Sequence, residues 1–113
     1  MSTISTHVLD TALGRPATGI PVTLSRCEDT GMVQIGSGMT DPDGRLRDLL
    51  PQGKALEAGE YELRFDTSRY FAETRRTAFY PWVSVNFRVE GASTHYHVPL
   101  LLSPFGYSTY RGS

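Results

Sequence analysis

The chain has 113 residues, 39% hydrophobic and 20% charged, which suits one domain with a sizeable core and leaves no room for a second. Eleven Lys and Arg against twelve Asp and Glu give a net charge of -1, so no cationic surplus exists to grip a phosphate backbone or an anionic bilayer. The longest apolar stretch, Val98–Leu102, is far below the ~20 residues of a membrane span. Cys27 is the single cysteine and no basic-then-apolar leader follows Met1, so a reducing, cytoplasmic setting is expected.

In chain order, Ile4–Asp10 reads as a short strand with Ser5, His7 and Leu9 on one face, followed by a turn at Gly14-Arg15-Pro16. Apolar residues then recur with period two at Val22 and Leu24, and again at Met32, Val33 and Ile35, each implying a strand with one buried face. Asp41-Pro42-Asp43-Gly44 is a turn with proline at its second position. Tyr61, Leu63 and Phe65 mark another strand. Asp66–Thr74 opens with cap-type residues and lacks alternation, which predicts one short helix. From Trp82 to Glu90 the polar Ser84, Asn86 and Arg88 interleave with Val83, Val85, Phe87 and Val89, the signature of a half-exposed antiparallel strand. His95–Leu102 and Tyr107–Gly112 flank the Ser103-Pro104-Phe105-Gly106 turn and should form a hairpin. Seven or eight short strands and one helix, over a single domain spanning residues 1–113, imply two antiparallel sheets packed face to face.

Alternation also says which way the polar residues point. In the hairpin, Tyr96, Val98, Leu100 and Leu102 face the core, while His95, His97, Pro99 and Leu101 face outward. Pro99 and Leu101 are odd for a solvent face, so this exterior is expected to meet another subunit. Ser108 and Tyr110 share the His97 face if the register is right, and the His7 strand can join the same sheet. Taken singly, each histidine is by default a partly exposed hydrogen-bonding residue, Arg45 a solvated turn residue and Cys27 a small hydrophobe. His95 and His97 are spaced like a metal pair, but one cysteine and no nearby carboxylate complete no site, so no metal is expected. Phosphate loops, paired carboxylates and nucleophile elbows do not occur.

Three stretches together carry a resemblance: Ser5-Thr6-His7-Val8-Leu9-Asp10 with Gly14-Arg15-Pro16-Ala17, the Asp43-Gly44-Arg45 turn, and His95–Pro104 running into Tyr107–Ser113. Across essentially its whole length the chain resembles the 5-hydroxyisourate hydrolases, the transthyretin-like enzymes of urate breakdown. That resemblance implies a transthyretin-like β-sandwich of two antiparallel four-stranded sheets with one short helix. It further implies a homotetramer, a dimer of dimers with active sites between the dimers, and cofactor-free hydrolysis of 5-hydroxyisourate. Under it His7, Arg45 and His97 are the catalytic candidates, with His7 or His97 as base and acid and Arg45 orienting the substrate. Tyr110, Arg111, Ser113 and, more weakly, Ser108 would join His7 and Arg45 in binding substrate. The alternative is a transthyretin-type carrier of a small aromatic ligand, a reading that the histidines and the Tyr-Arg-Gly-Ser tail oppose. Roles for His95 and Cys27 do not follow from the sequence.

Overall fold

The period-two stretches fold as strands, and the strands sort into two sheets packed face to face. The computed structural model describes residues 2–91 and 94–113, with strands β1 (Thr3–Asp10), β2 (Arg15–Pro16), β3 (Pro21–Glu28), β4 (Gly31–Met39), β5 (Arg45–Leu46) and β6 (Gly59–Phe65). Helix α1 (Ser68–Glu73) precedes β7 (Val83–Val89), β8 (His95–Ser103) and β9 (Gly106–Thr109). One sheet runs β2-β1-β8-β9 with β5 attached to β1, and the other runs β4-β3-β6-β7. The sandwich with one short helix is therefore what the chain adopts.

The first sheet departs from the expected pattern in two details. Its fifth member comes from two-residue strands, β2 and β5, that both pair with β1. Its central pair, β1 and β8, is parallel, with Ser5 opposite His97 and His7 opposite Pro99. The whole second sheet lies between these strands in sequence, so no tight turn imposes an antiparallel return.

Ile4, Val8, Tyr96, Val98, Leu100 and Leu102 of the first sheet meet Val22, Leu24, Tyr61, Leu63, Phe65, Val83, Val85 and Val89 of the second, all at most 8% exposed. Each such side chain contributes about 1.5–3 kcal/mol of burial. Thr6 shares this face and donates its hydroxyl to the Val98 carbonyl at 2.6 Å, which removes the penalty of a buried polar group. Strand β4 is the exception to the one-buried-face rule. It is a sheet edge, and Met32 and Val33 are 48% and 41% exposed, while Ile35 alone of the expected trio packs against the core.

The helix forms, but Thr67 does not cap it, and its hydroxyl is buried without a hydrogen-bond partner. Tyr70 and Phe71, both buried, anchor it instead. Beside it lies a dense polar cluster at the end of β1. Asp10 is 1% exposed and accepts hydrogen bonds from Arg76, from the Tyr70 hydroxyl at 2.6 Å, and from the backbone N–H groups of Ala12 and Leu13. Burial by itself would raise the Asp10 pKa, but the bonds from Arg76, Tyr70 and Leu13 and the Arg76 charge outweigh it and hold the carboxyl at about 2.

Candidate active site

The outer face of the β1–β8 pair gathers the chain's three histidines. Parallel pairing sets Thr3 opposite His95 and Ser5 opposite His97, and the antiparallel attachment of β5 sets Arg45 opposite His7. The β5 strand is placed by the Asp41–Gly44 turn, in which the Asp41 carboxylate accepts from the N–H groups of Asp43 and Arg45, each at 2.9 Å. Gly44 has φ +75° and a Cβ there would stand 2.4 Å from the Val8 carbonyl oxygen, so a glycine is required for the turn to lie against β1.

That turn also reaches His7. Its Nε2 is 2.9 Å from the Asp43 carbonyl oxygen, and since a carbonyl only accepts, Nε2 carries a proton and Nδ1 is the ring's available atom. His97 is oriented differently. Its Nδ1 lies 2.8 Å from Ser5 Oγ, and its Nε2 has no hydrogen-bond partner among the described residues. Burial lowers the His97 pKa from its ordinary 6.5, and the charges of Arg45, His7 and His95 push it further down against a smaller opposing effect of Ser5. Its neighbours therefore keep this imidazole neutral and proton-accepting at physiological pH.

The β8–β9 hairpin has the register that the sequence requires, with Leu101 opposite Ser108, so Ser108 shares the His97 face. Pairing lapses at Tyr110 and Arg111 and resumes at Gly112, which bridges to His97 and donates its N–H to the His97 carbonyl at 2.8 Å. A Cβ on Gly112 would come within 2.5 Å of His97 Cδ2, so the tail glycine is the seat on which that ring rests. Tyr110, 58% exposed, and the exposed Ser113 flank this seat in sequence.

His7, Arg45, His97, Ser108 and the Gly112 end of the tail thus belong to one face. Arg111 does not join them. Its guanidinium lies 4.8 Å over the Tyr96 ring, whose side chain is in the core, so in the single chain it turns away from His97. Pro99, expected to be apolar surface, is already buried within the chain, whereas Leu9 and Leu101 remain half-buried. Ser5, which sequence reasoning placed beside His7 without a role, contacts two histidines; the missing information was the parallel register. Among the described residues, no group of three or more His, Cys, Asp or Glu side chains is placed to hold a metal ion, and no helix is long and apolar enough to cross a membrane.

Comparison with known proteins bears on this arrangement. The HIUase/Transthyretin family matches residues 4–112. The 5-hydroxyisourate hydrolase of Salmonella typhimurium is 46% identical over 110 residues, covering 97% of this chain and 80% of that protein. Among solved structures, the Klebsiella pneumoniae 5-hydroxyisourate hydrolase superposes with a TM-score of 0.86 at 37% identity over 100% of both chains. Transthyretin from Sparus aurata superposes with a TM-score of 0.89 at 31% identity, covering 97% of this chain and 96% of that one.

Proposed function

The chain belongs to the HIUase/Transthyretin family, and from that starting point we propose that it is a hydrolase of 5-hydroxyisourate. It opens the six-membered ring of that substrate at its cyclic acyl-urea bond, giving 2-oxo-4-hydroxy-4-carboxy-5-ureidoimidazoline in urate degradation. A carrier of the transthyretin kind is the competing reading, and backbone likeness does not choose the hydrolase, because the chain superposes on the transthyretin at least as well, with TM-scores of 0.89 against 0.86. Residues choose. The observation that carries the hydrolase reading is the placement of His97 among His7, Arg45 and the C-terminal tail, with its Nε2 lacking a hydrogen-bond partner among the described residues and its charged form disfavoured.

Ring opening needs an activated water, a donor for the tetrahedral oxyanion and a proton for the departing nitrogen. His97 Nε2 takes the proton from water, because the burial and neighbouring charges that disfavour its charged form keep this nitrogen's lone pair available. Arg45 offers a rigid fork of donors to the carbonyl edge of the ring and to the oxyanion. The Tyr110 hydroxyl supplies a further donor and His7 Nδ1, the unprotonated nitrogen of its ring, accepts from a ring N–H of the substrate, with Ser108 and Ser113 at the border. Arg111 holds the tail against Tyr96 and thereby places Tyr110 and Gly112.

The assembly that suits this reading is a homotetramer with each site closed by a second dimer, because Leu9 and Leu101 keep apolar surface on an otherwise polar face. A cytoplasmic setting suits the free Cys27. The test is the ultraviolet decay of freshly generated 5-hydroxyisourate. Wild-type protein accelerates it, and His97→Asn loses about 10²- to 10⁴-fold in rate. No acceleration by the wild type, or an undiminished rate with His97→Asn, refutes the assignment.

A further inference from the structure

A line of hydrogen bonds runs along the outer face beside the cluster and has no part in the steps above. Thr3 Oγ1 lies 2.6 Å from His95 Nδ1, His95 Nε2 lies 2.8 Å from Ser5 Oγ, and the same Ser5 oxygen lies 2.8 Å from His97 Nδ1. A hydroxyl has one proton to give, so Ser5 cannot donate to both rings. The directions of the links are therefore coupled. When Ser5 donates to His95, His97 Nδ1 must bring its own proton to the Ser5 oxygen, and His97 Nε2 is left as a bare lone pair. When Ser5 donates to His97, the His97 proton sits on Nε2, and that atom can only donate.

We propose that Ser5 and His95 are positioning residues that act through His97, holding its resting ring with the proton on Nδ1 and then taking over the charge that the ring acquires. The proposal rests on the reading of His97 as the base. At rest, His97 Nδ1–H donates to Ser5, Ser5 donates to His95 Nε2, and His95 Nδ1–H donates to Thr3. Once Nε2 has taken a proton from water, His97 is an imidazolium. Its Nδ1 proton passes to Ser5 Oγ while the Ser5 hydroxyl proton passes to His95 Nε2. His97 is then neutral with its proton on Nε2, ready for the departing nitrogen, and His95 is the imidazolium. Donation of the Nε2 proton, with the two shifts reversed, restores the resting state, and no proton is gained or lost by the line.

Surroundings favour this direction of transfer. His97 is half-buried and faces Arg45 of β5 and His7 of β1, so a positive charge there is costly. His95 is exposed at the far end of the line, where water solvates the charge. Neither Ser5, which is 7% exposed, nor His95 needs to touch substrate for this role.

Long-range proton–nitrogen NMR spectra of the imidazoles, taken on the full-length ¹⁵N-labelled protein without substrate at mildly basic pH, read the tautomer directly. His97 in the wild type is expected to carry its proton on Nδ1, to shift toward the Nε2–H form in Ser5→Ala, and to return in Ser5→Thr. With 5-hydroxyisourate, Ser5→Ala and His95→Gln each lower kcat by about ten- to a hundredfold while KM stays within about twofold. The same His97 tautomer in wild type and Ser5→Ala, or unchanged kcat in both variants, overturns the proposal. Failure of the wild type to turn over the substrate would instead remove the hydrolase reading, and the spectra would still report whether Ser5 governs the ring.

Discussion

Two polar clusters lie on opposite faces of β1, and they treat charge in opposite ways. On the inner face, Asp10 is fully buried and its negative charge is met by Arg76, Tyr70 and two backbone N–H groups, so the ionised form is the stable one. On the outer face, His97 is surrounded by Arg45, His7 and His95, so its charged form is the unstable one and Nε2 is left without a partner among the described residues. A saturated cluster fastens; an unsaturated one with a proton acceptor held neutral is suited to chemistry. Asp10 ties the helix to the sheet, and His97 is kept available.

The contrast can be broken at several points. The largest effect belongs to the outer face: Leu101→Glu puts a charge where a partner dimer is expected to pack, and sizing chromatography together with the ultraviolet assay should show dissociation and loss of activity at once. An active monomer would sever the link between assembly and site. Next comes the inner cluster, where Arg76→Ala strands a buried carboxylate and should cost about 3 kcal/mol or more of unfolding free energy in urea titration. Turnover per folded molecule should hardly change.

Acid separates the clusters by window. His97 has its pKa lowered below 6.5, so the native state resists the proton that the unfolded chain accepts, and stability begins to fall as pH drops below that value. Asp10, lowered from 3.8 to about 2, contributes stability that is complete above its unfolded value and is lost as pH falls through about 2. For the same reason the acid limb of kcat/KM should lie below 6.5. Arg45→Gln removes one of the charges that depress it and should move the limb upward, whereas Arg76→Ala should leave it in place. The smallest effect is expected at Arg69, whose ion pair with Glu73 joins side chains that are 78% and 64% exposed; Arg69→Ala should change stability by about 0.5 kcal/mol or less in the same titration.

How much of this was readable beforehand depended on whether the deciding information was local. Alternation of side chains with period two is local, and it placed Tyr96, Val98, Leu100 and Leu102 inward and His95 and His97 outward, as found. The Asp41–Gly44 turn is local as well, and it delivers Arg45 to His7. Register between strands far apart in sequence is not local. Nothing in residues 3–7 or 95–97 alone says that they run parallel, so the contacts of Ser5 with both histidines had no signal. Exposure of Met32 and Val33 failed to follow from pattern for a similar reason, since burial of an edge strand depends on how far the opposite sheet reaches. The resemblance names Arg111 among the substrate-binding residues, and its contact with the Tyr96 ring depends on how the tail leaves β9, which is again not local.

The parallel junction of β1 with β8 carries a kinetic corollary. The face that holds His7, His97 and the Gly112 bridge joins β1 to β8 and the segment after β9, with Arg45 supplied from β5 between them in sequence. Loops of that span close slowly, because ordering the intervening chain is paid for before any contact rewards it. During synthesis on a ribosome, β1 must wait, unpaired along this side, until β8 and the Gly112 segment have been made and have cleared the exit tunnel. The His97 face is then completed in a single late event, and a message truncated before Gly112 yields a product that lacks the seat of the His97 ring.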